Sequence, residues 1–260
     1  MLSIDLRNNI ALVIGGSRGI GASVSKCLST AGAAVVFTHT GNPKYRQRVE
    51  TLVKKLEEQG NFIKAEALDA RDSAKTTLLV ERIIKEHGRI DVLVCNAGQN
   101  LARPAEDVTD QQWKEVIEIN LSTAFYAVRA VLPYMMKAGY GRIILIGSSA
   151  VYDGGGGAID YAAAKAGLSG MMMYLNKQYA AKGILTNVVH PCVIETDLLK
   201  ERYSDENKRK QLIAQVPAGR LGKAEDIGGL VAYLASAWGD FICGQDILVD
   251  GGRTFFGEKS

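Results

Sequence analysis

The sequence predicts an α/β fold, a doubly wound parallel β-sheet of about seven strands with helices on both faces. Three observations carry that expectation. Short apolar runs alternate with stretches of helical period along nearly the whole chain, the pattern of a parallel sheet covered on both sides. A glycine-rich turn stands directly between the first apolar run and the first helical stretch. The 260 residues are 47% hydrophobic and 23% charged, with 28 glycines and only 5 prolines, which suits a large, well-buried core. No repeat, low-complexity segment or linker interrupts the pattern, so 1–260 is read as one domain.

Ile10 to Ile14 is the first strand, followed by the turn G-G-S-R-G-I-G from Gly15 to Gly21. Cys27, Leu28 and Ala31 then mark an amphipathic helix that stops at Gly32. Strand, glycine turn and helix form the context of a dinucleotide fingerprint, here with Gly15, Gly19 and Gly21 as G-x-x-x-G-x-G. Glycines let backbone approach a pyrophosphate, and the helix N-terminus offers that anion free N–H groups.

Ala34 to Thr38 is the second strand, and it runs out as T-H-T-G-N without the carboxylate that an NAD site usually places there. Arg18 stands in the glycine turn, and its planar donor fork suits a 2′-phosphate. Ser17, His39 and Thr40 are candidate hydrogen-bonding partners. These features favour NADP(H) over NAD(H), with NAD(H) the alternative.

Further along, Pro43 to Gln59 reads as a charged helix, Phe62 to Leu68 as a strand ending at Asp69, and Ser73 to His87 as a helix stopped by Gly88. Asp91 to Cys95 is a short strand ending in Asn96, Ala97 and Gly98. Thr109 to Met136 reads as one long helix, with Asn120 on its apolar stripe as either a structural bracket or part of a site. Arg142 to Ile146 is a strand delivering Ser148 to the rim where the carboxyl ends of parallel strands collect. Ala158 to Ala181 is a helix, Thr186 to His190 a strand, Thr196 to Gln215 a polar helical stretch and Lys223 to Ala235 a further helix. Asp246 to Val249 is the last strand.

The chemistry concentrates between Ser148 and Lys165. Tyr161 and Lys165 stand four apart in an Ala-rich run, so both lie on one helical face. A phenol beside an ammonium group is a proton-transfer pair in which the positive charge is expected to lower the phenol's pKa. Taken alone, Y-x-x-x-K is more often an exposed pair on an ordinary helix, and the rest of the chain decides.

Other classes find little support. A formal net charge of +3 and a densest basic stretch (Asn207 to Lys210) that sits beside Asp205 and Glu206 give no nucleic-acid patch. Cys27, Cys95, Cys192 and Cys243 are too scattered for a metal site and suit a reducing cytosol. The N-terminal M-L-S-I-D-L-R-N-N lacks an apolar signal core, and no apolar run is long enough to span a membrane. The expectation is a soluble cytoplasmic protein without metal, nucleic-acid or membrane partner.

Gly15, Gly19, Gly21, Asp69, Asn96-Ala97-Gly98, Asn120, Ser148, Tyr161, Lys165, Pro191 and Thr196, in that order, resemble the short-chain dehydrogenase/reductase family from about Leu6 to Gly252. The chain is most similar to the 3-oxoacyl-carrier-protein reductase type, through I-G-S, Y-A-A-A-K-A-G, G-R-L-G-K-A-E-D-I and V-D-G-G. The resemblance implies a Rossmann-type fold and an NADP-dependent reductase of a ketone or 3-oxoacyl carbonyl. It implies Tyr161 as general acid, Lys165 as the group that tunes it and holds the nicotinamide ribose, Ser148 on the substrate oxygen, and Asn120 on a water linking Lys165 to solvent. Family spacing selects Ser148 over Ser149. Asp69 would meet the adenine, Asn96 the adenosine ribose, and Ile194 and Thr196 the nicotinamide carboxamide. The cofactor set is thus Gly15, Ser17, Arg18, Gly19, Ile20, Gly21, His39, Thr40, Asp69, Asn96, Ala97, Gly98, Tyr161, Lys165, Pro191, Ile194 and Thr196, with no metal.

A homotetramer is implied, a homodimer being the alternative, through the Asp110–Met136 and Ala158–Ala181 helices. A substrate lid is expected over about 195–215. Three departures stand out: Ile14 where the family has Thr, Cys95 in N-N-A-G, and Cys192 where Gly follows Pro191. An NAD(P)-dependent alcohol, polyol or sugar dehydrogenase is the main rival, and a non-enzymatic NADP-binding sensor a weaker one. The substrate is a small carbonyl or alcohol whose identity the loops leave open.

Overall fold

The computed structural model describes residues 3–155, 157–196, 199 and 205–257. Seven parallel strands form the sheet, in the order β3-β2-β1-β4-β5-β6-β7. They are β1 (Ile10–Ile14), β2 (Ala34–His39), β3 (Ile63–Ala67), β4 (Val92–Cys95), β5 (Gly141–Ile146), β6 (Ile184–Pro191) and β7 (Asp246–Val249). Helices α1 (Gly19–Thr30), α2 (Arg46–Glu57), α3 (Ser73–His87), α4 (Asp110–Ile117), α5 (Thr123–Ala138), α6 (Ala150–Asp153) and α7 (Ile159–Tyr179) connect them, with later helices at Glu206–Ala214, Ala224–Ala235 and Arg253–Phe256.

Strands β1 and β4, in the middle of the sheet, are apolar throughout because both of their faces are covered. Alternate side chains of β1 enter different cores: Leu12 and Ile14 join Leu93, Val128, Met135 and Leu168, whereas Ala11 and Val13 join Val24, Phe37, Val92 and Val231. Strand order reverses at the β1–β4 junction, so the crevice lies outside the carboxyl ends of these two strands.

The predicted Thr109–Met136 helix is not continuous. Thr109 and Gln112 form a capping box on α4, a π-helical turn occupies Glu118–Ser122, and α5 runs on to a left-handed Gly139. Asn120 lies inside the wide turn, where its amide donates to the Val116 carbonyl at 3.0 Å. Such bulges concentrate at functional sites.

The predicted Pro43–Gln59 helix opens as a 3₁₀ turn, Pro43–Tyr45, capped by Asn42. α7 ends two residues early and passes into a 3₁₀ turn at Ala180–Lys182. Single-turn α6 and Arg253–Phe256 have no sequence period to reveal them. Of the predicted Thr196–Gln215 helix and the lid, residues 197, 198 and 200–204 lie outside the described residues, while Glu206–Ala214 is helical. Among the described residues no helix is long and apolar enough to cross a membrane. Nor do they contain a cluster of His, Cys, Asp or Glu fit for a metal ion.

Candidate active site

The glycine turn is built by close approach. Gly15 has φ +81°, and a Cβ there would lie 2.9 Å from the Ala97 backbone. A Cβ on Gly21 would meet the Gly15 carbonyl oxygen at 2.0 Å and Asn96 Nδ2 at 2.5 Å. Asn96 Nδ2 donates to that carbonyl at 2.6 Å, so Asn96 braces the turn from β4. The hydroxyl lacking at Ile14 is supplied by β2: Thr38 Oγ1 accepts from Gly15 N at 2.9 Å. α1 then begins with no side-chain cap and no acidic residue in its first turn. A concave glycine cradle before an uncapped helix N-terminus fits a pyrophosphate. Gly21→Ala is expected to lower dinucleotide affinity at least about tenfold and destabilise the fold by about 1–3 kcal/mol. Cofactor fluorescence titration and thermal unfolding read the two effects.

Beside the cradle, Arg18 Nη1 donates to the Tyr45 hydroxyl at 3.1 Å and stacks 5.0 Å from that ring's centroid. Lys44 lies 5.7 Å from the same centroid. The half-buried His39 accepts from Gly41 N through Nδ1 at 3.2 Å, and burial pushes its pKa down. Thr40 Oγ1 accepts from Asn42 N at 3.4 Å. The end of β2 is therefore basic, with Tyr45 and Lys44 as members that the sequence did not single out. Asp69 is held by Arg71 through a 2.6 Å ion pair, whose hydrogen bonds keep its carboxyl below the usual range.

Across the crevice, β5 and α7 deliver the proton-transfer residues. Lys165 is 4% exposed, and its Nζ donates to the Ile146 carbonyl at 2.8 Å. Asn120 Oδ1 and Lys165 Nζ lie 2.7 and 3.4 Å from the point a Gly98 Cβ would occupy, so glycine there lets both reach the strand end. Asn120 also clasps Gln99, accepting from its N at 3.2 Å and donating to its carbonyl at 2.8 Å. The Ser148 hydroxyl acts on the Tyr161 phenol in the sense that favours phenolate. A Cβ on Gly157 would lie 2.8 Å from the Tyr161 ring, one reason for glycine in that loop.

The charges differ from expectation. Burial raises the Tyr161 pKa, the Ser148 hydrogen bond acting in the other direction. Burial also pushes Lys165 down to about 8. The predicted lowering of Tyr161 by Lys165 is not found, because Nζ is turned to the Ile146 carbonyl, 5.8 Å from the phenol ring centroid. Cys95, packed near Lys165, has its thiol pushed up to about 12 by burial.

Behind Ser148 stands His190, 0% exposed and absent from the sequence-based candidates. Its Nδ1 lies 3.1 Å from Ser148 N and 3.0 Å from the Ser148 carbonyl oxygen, and its Nε2 lies 2.7 Å from Asp246 Oδ1. Asp246 also accepts from Ser169 Oγ at 2.7 Å. Gly147 admits the imidazole: a Cβ there would lie 2.4 Å from Nδ1. Nothing in local spacing links residues 148, 190 and 246; parallel pairing of β5, β6 and β7 does.

β6 closes on the site through Pro191, whose carbonyl accepts from Ser149 N at 3.2 Å. The chain then turns sharply, with Val193 at φ +51°, a strained value for a β-branched residue. Ile194 bridges to Gly222 and is buried, while the Thr196 methyl would lie 3.2 Å from a Gly19 Cβ, over the turn. The structure thus gathers the predicted cofactor residues along one rim, with Ile194 turned into the core and Asn96 into the turn.

A family model described as enoyl-(acyl carrier protein) reductase matches residues 14–254. The chain is 40% identical to the 3-oxoacyl-[acyl-carrier-protein] reductase FabG of Escherichia coli (strain K12) over 249 residues, 96% of this chain and 98% of that one. Among solved structures, a short-chain dehydrogenase/reductase from Serratia marcescens BCRC 10948 aligns with TM-score 0.87 at 32% identity over 96% and 99% of the two chains. A gluconate 5-dehydrogenase from Burkholderia cenocepacia J2315, in complex with NADP and tartrate, aligns with TM-score 0.88 at 29% identity over 96% and 97%. With its sheet order, glycine cradle and Tyr-Lys helix, this chain belongs to the short-chain dehydrogenase/reductase family of oxidoreductases.

Proposed function

We propose that the protein is an NADP(H)-dependent carbonyl reductase that converts a ketone, in the first instance a 3-oxoacyl-type carbonyl, to a secondary alcohol. The observation that carries this reading is the gathering of Ser148, Tyr161, the buried Lys165 and Asn120 at one strand end, where Lys165 Nζ and Asn120 Oδ1 converge on Gly98 and Ser148 acts on the Tyr161 phenol. The residues of the glycine turn, the β2 end and the 191–196 segment would hold the dinucleotide, which supplies a hydride when bound. Tyr161, kept protonated by burial, donates its phenolic proton to the carbonyl oxygen. The Ser148 hydroxyl donates to the same oxygen as negative charge develops on it. Protonated Lys165 steadies the phenolate left on Tyr161, and Asn120 holds the Gln99 backbone and the strand end in place around it.

NADPH oxidation measured across thioesters, β-ketoesters, simple ketones and oxo sugars tests the reading. Tight NADPH binding with turnover of none of them would count against it. The preference for NADP(H) rests on Arg18, which lies at the basic end of β2 where Tyr45 steadies it. Arg18→Ala is expected to weaken NADPH about 10–100-fold, the worth of lost hydrogen bonds to a charged group, and NADH by much less. Equal loss for both cofactors would refute this assignment.

The oxidative reading, an alcohol, polyol or sugar dehydrogenase, draws support from the gluconate 5-dehydrogenase similarity. The same Ser148, Tyr161 and Lys165 would then work in reverse, Tyr161 as base. A homotetramer is also proposed, since Phe125, Met173 and Tyr174 on α5 and α7 are exposed apolar side chains on helices that would pair. Cytoplasmic residence is proposed from four free cysteines, and action as one domain from cores that meet on a single sheet.

A further inference from the structure

Among the described residues four arginines are not exposed: Arg103, Arg142, Arg209 and Arg253. Three are matched by a carboxylate. Arg103 pairs with Asp160 at 3.5 Å, Arg142 with Asp240 at 2.6 Å, and Arg209 with Glu195. Arg253 has no carboxylate partner among the described residues. Its Nη1 donates to the Cys192 sulfur at 3.5 Å and its Nη2 to Gln215 Oε1 at 3.1 Å; its buried Nε–H, like those of Arg103 and Arg142, has no acceptor among the described residues. A thiol sulfur is a weak acceptor, and a half-buried guanidinium without a counter-charge is costly to keep.

The position of this cation matters. Cys192 directly follows Pro191, whose carbonyl is tied to the residue after Ser148. Two residues beyond Arg253, the Phe255 ring lies 5.7 Å from Tyr152, which in turn lies 5.4 Å from His190 behind Ser148. The guanidinium thus stands between Cys192, next to the Pro191 that is tied to Ser149, and Gln215.

We propose that Arg253 seats a carboxylate of the substrate, which narrows the ketone of the reading above to a small oxo acid, or the matching hydroxy acid, and moves the 3-oxoacyl thioester from first candidate to rival. The proposal rests on the carbonyl-reductase reading. A carboxylate accepts two parallel N–H bonds from one guanidinium, displaces the weak thiol contact and supplies the missing charge. With one end fixed there, the distance to Tyr161 selects which carbonyl along the molecule is reduced.

The test compares NADPH-dependent reduction of acetoacetate and levulinate with that of their methyl esters, in the wild-type protein and in Arg253→Met and Arg253→Lys. The wild type is expected to prefer the acids at least about tenfold in kcat/KM. Arg253→Met should raise KM for the acids about 10–100-fold with little change for the esters, and Arg253→Lys should restore part of the preference. Equal kcat/KM for acid and ester in the wild type overturns the proposal, as does an equal loss for both in Arg253→Met.

Malonate, an unreactive dicarboxylate, gives a second readout by isothermal calorimetry on the NADPH-loaded protein. Binding to the wild type that is lost in Arg253→Met supports the seat, even if no ketone turns over and the carbonyl-reductase reading falls. Turnover of ketones without malonate binding keeps that reading and removes the seat.

Discussion

On the proposed reading, Tyr161→Phe is expected to lower kcat for carbonyl reduction by about 10²–10⁴-fold, the range of a lost general acid, and to leave NADPH affinity nearly unchanged. The phenyl ring is retained, so its packing against the Gly157 backbone and the α7 helix persists. What disappears is the hydroxyl on which Ser148 acts. Burial holds that phenol protonated to higher pH than a free tyrosine, so the acid form is available across the physiological range. Stopped-flow reduction separates the chemical step from binding. A large fall in NADPH affinity, with kcat preserved, would assign Tyr161 to cofactor binding instead.

Lys165→Met also removes most activity, by at least about 10²-fold, yet it stabilises the folded protein at pH 7. The folded-state pKa of Lys165, about 8, lies below its ordinary value of 10.5 because the ammonium is buried. Between those two values the unfolded chain binds more protons than the folded one, so stability rises with pH across that window. The cost of the buried charge is fully present below pH 8 and gone above pH 10.5. It amounts to about 3 kcal/mol at 1.36 kcal/mol per unit. Methionine fills similar space without charge but leaves the Ile146 carbonyl without its donor, which costs about 1–2 kcal/mol. A net gain of about 1–2 kcal/mol at pH 7 is therefore expected, shrinking to nothing or reversing by pH 10.5. Urea unfolding at both pH values measures it, and a variant less stable than wild type at pH 7 would show that Lys165 is not a strained charge. The same low pKa predicts that kcat/KM for reduction falls as pH rises through about 8, when Lys165 loses the proton that steadies the phenolate.

Much of the site could be read locally. The glycine turn announces itself because Gly15 and Gly21 must tolerate backbone approaches that any Cβ would block. Tyr161 and Lys165 share a face because four residues make about one helical turn. Asn120 was suspect as an amide on an apolar stripe, but its π turn was invisible: helical period continues through Glu118–Ser122 while the hydrogen bonds widen. Arg18 was legible as a cation in the turn, whereas its partner Tyr45 was not, since it stands 27 residues on, in a 3₁₀ turn after β2. The sign of the Tyr161 shift was misjudged for a related reason. Sequence spacing places the ammonium near the phenol, but burial depth and the Ile146 carbonyl decide which form each holds.

By itself the sequence determined what depends on neighbours along the chain: the seven strands, the cradle, the Tyr-Lys face and the order of the family's motifs. Only the tertiary structure decided which distant groups meet. His190 and Asp246 support Ser148 because β5, β6 and β7 lie side by side, and among the described residues the fold brings Arg253 a thiol and an amide rather than a carboxylate. The reason is physical: period and turn chemistry act over a few residues, while burial, pairing and charge compensation are set by neighbours that the chain supplies from far away.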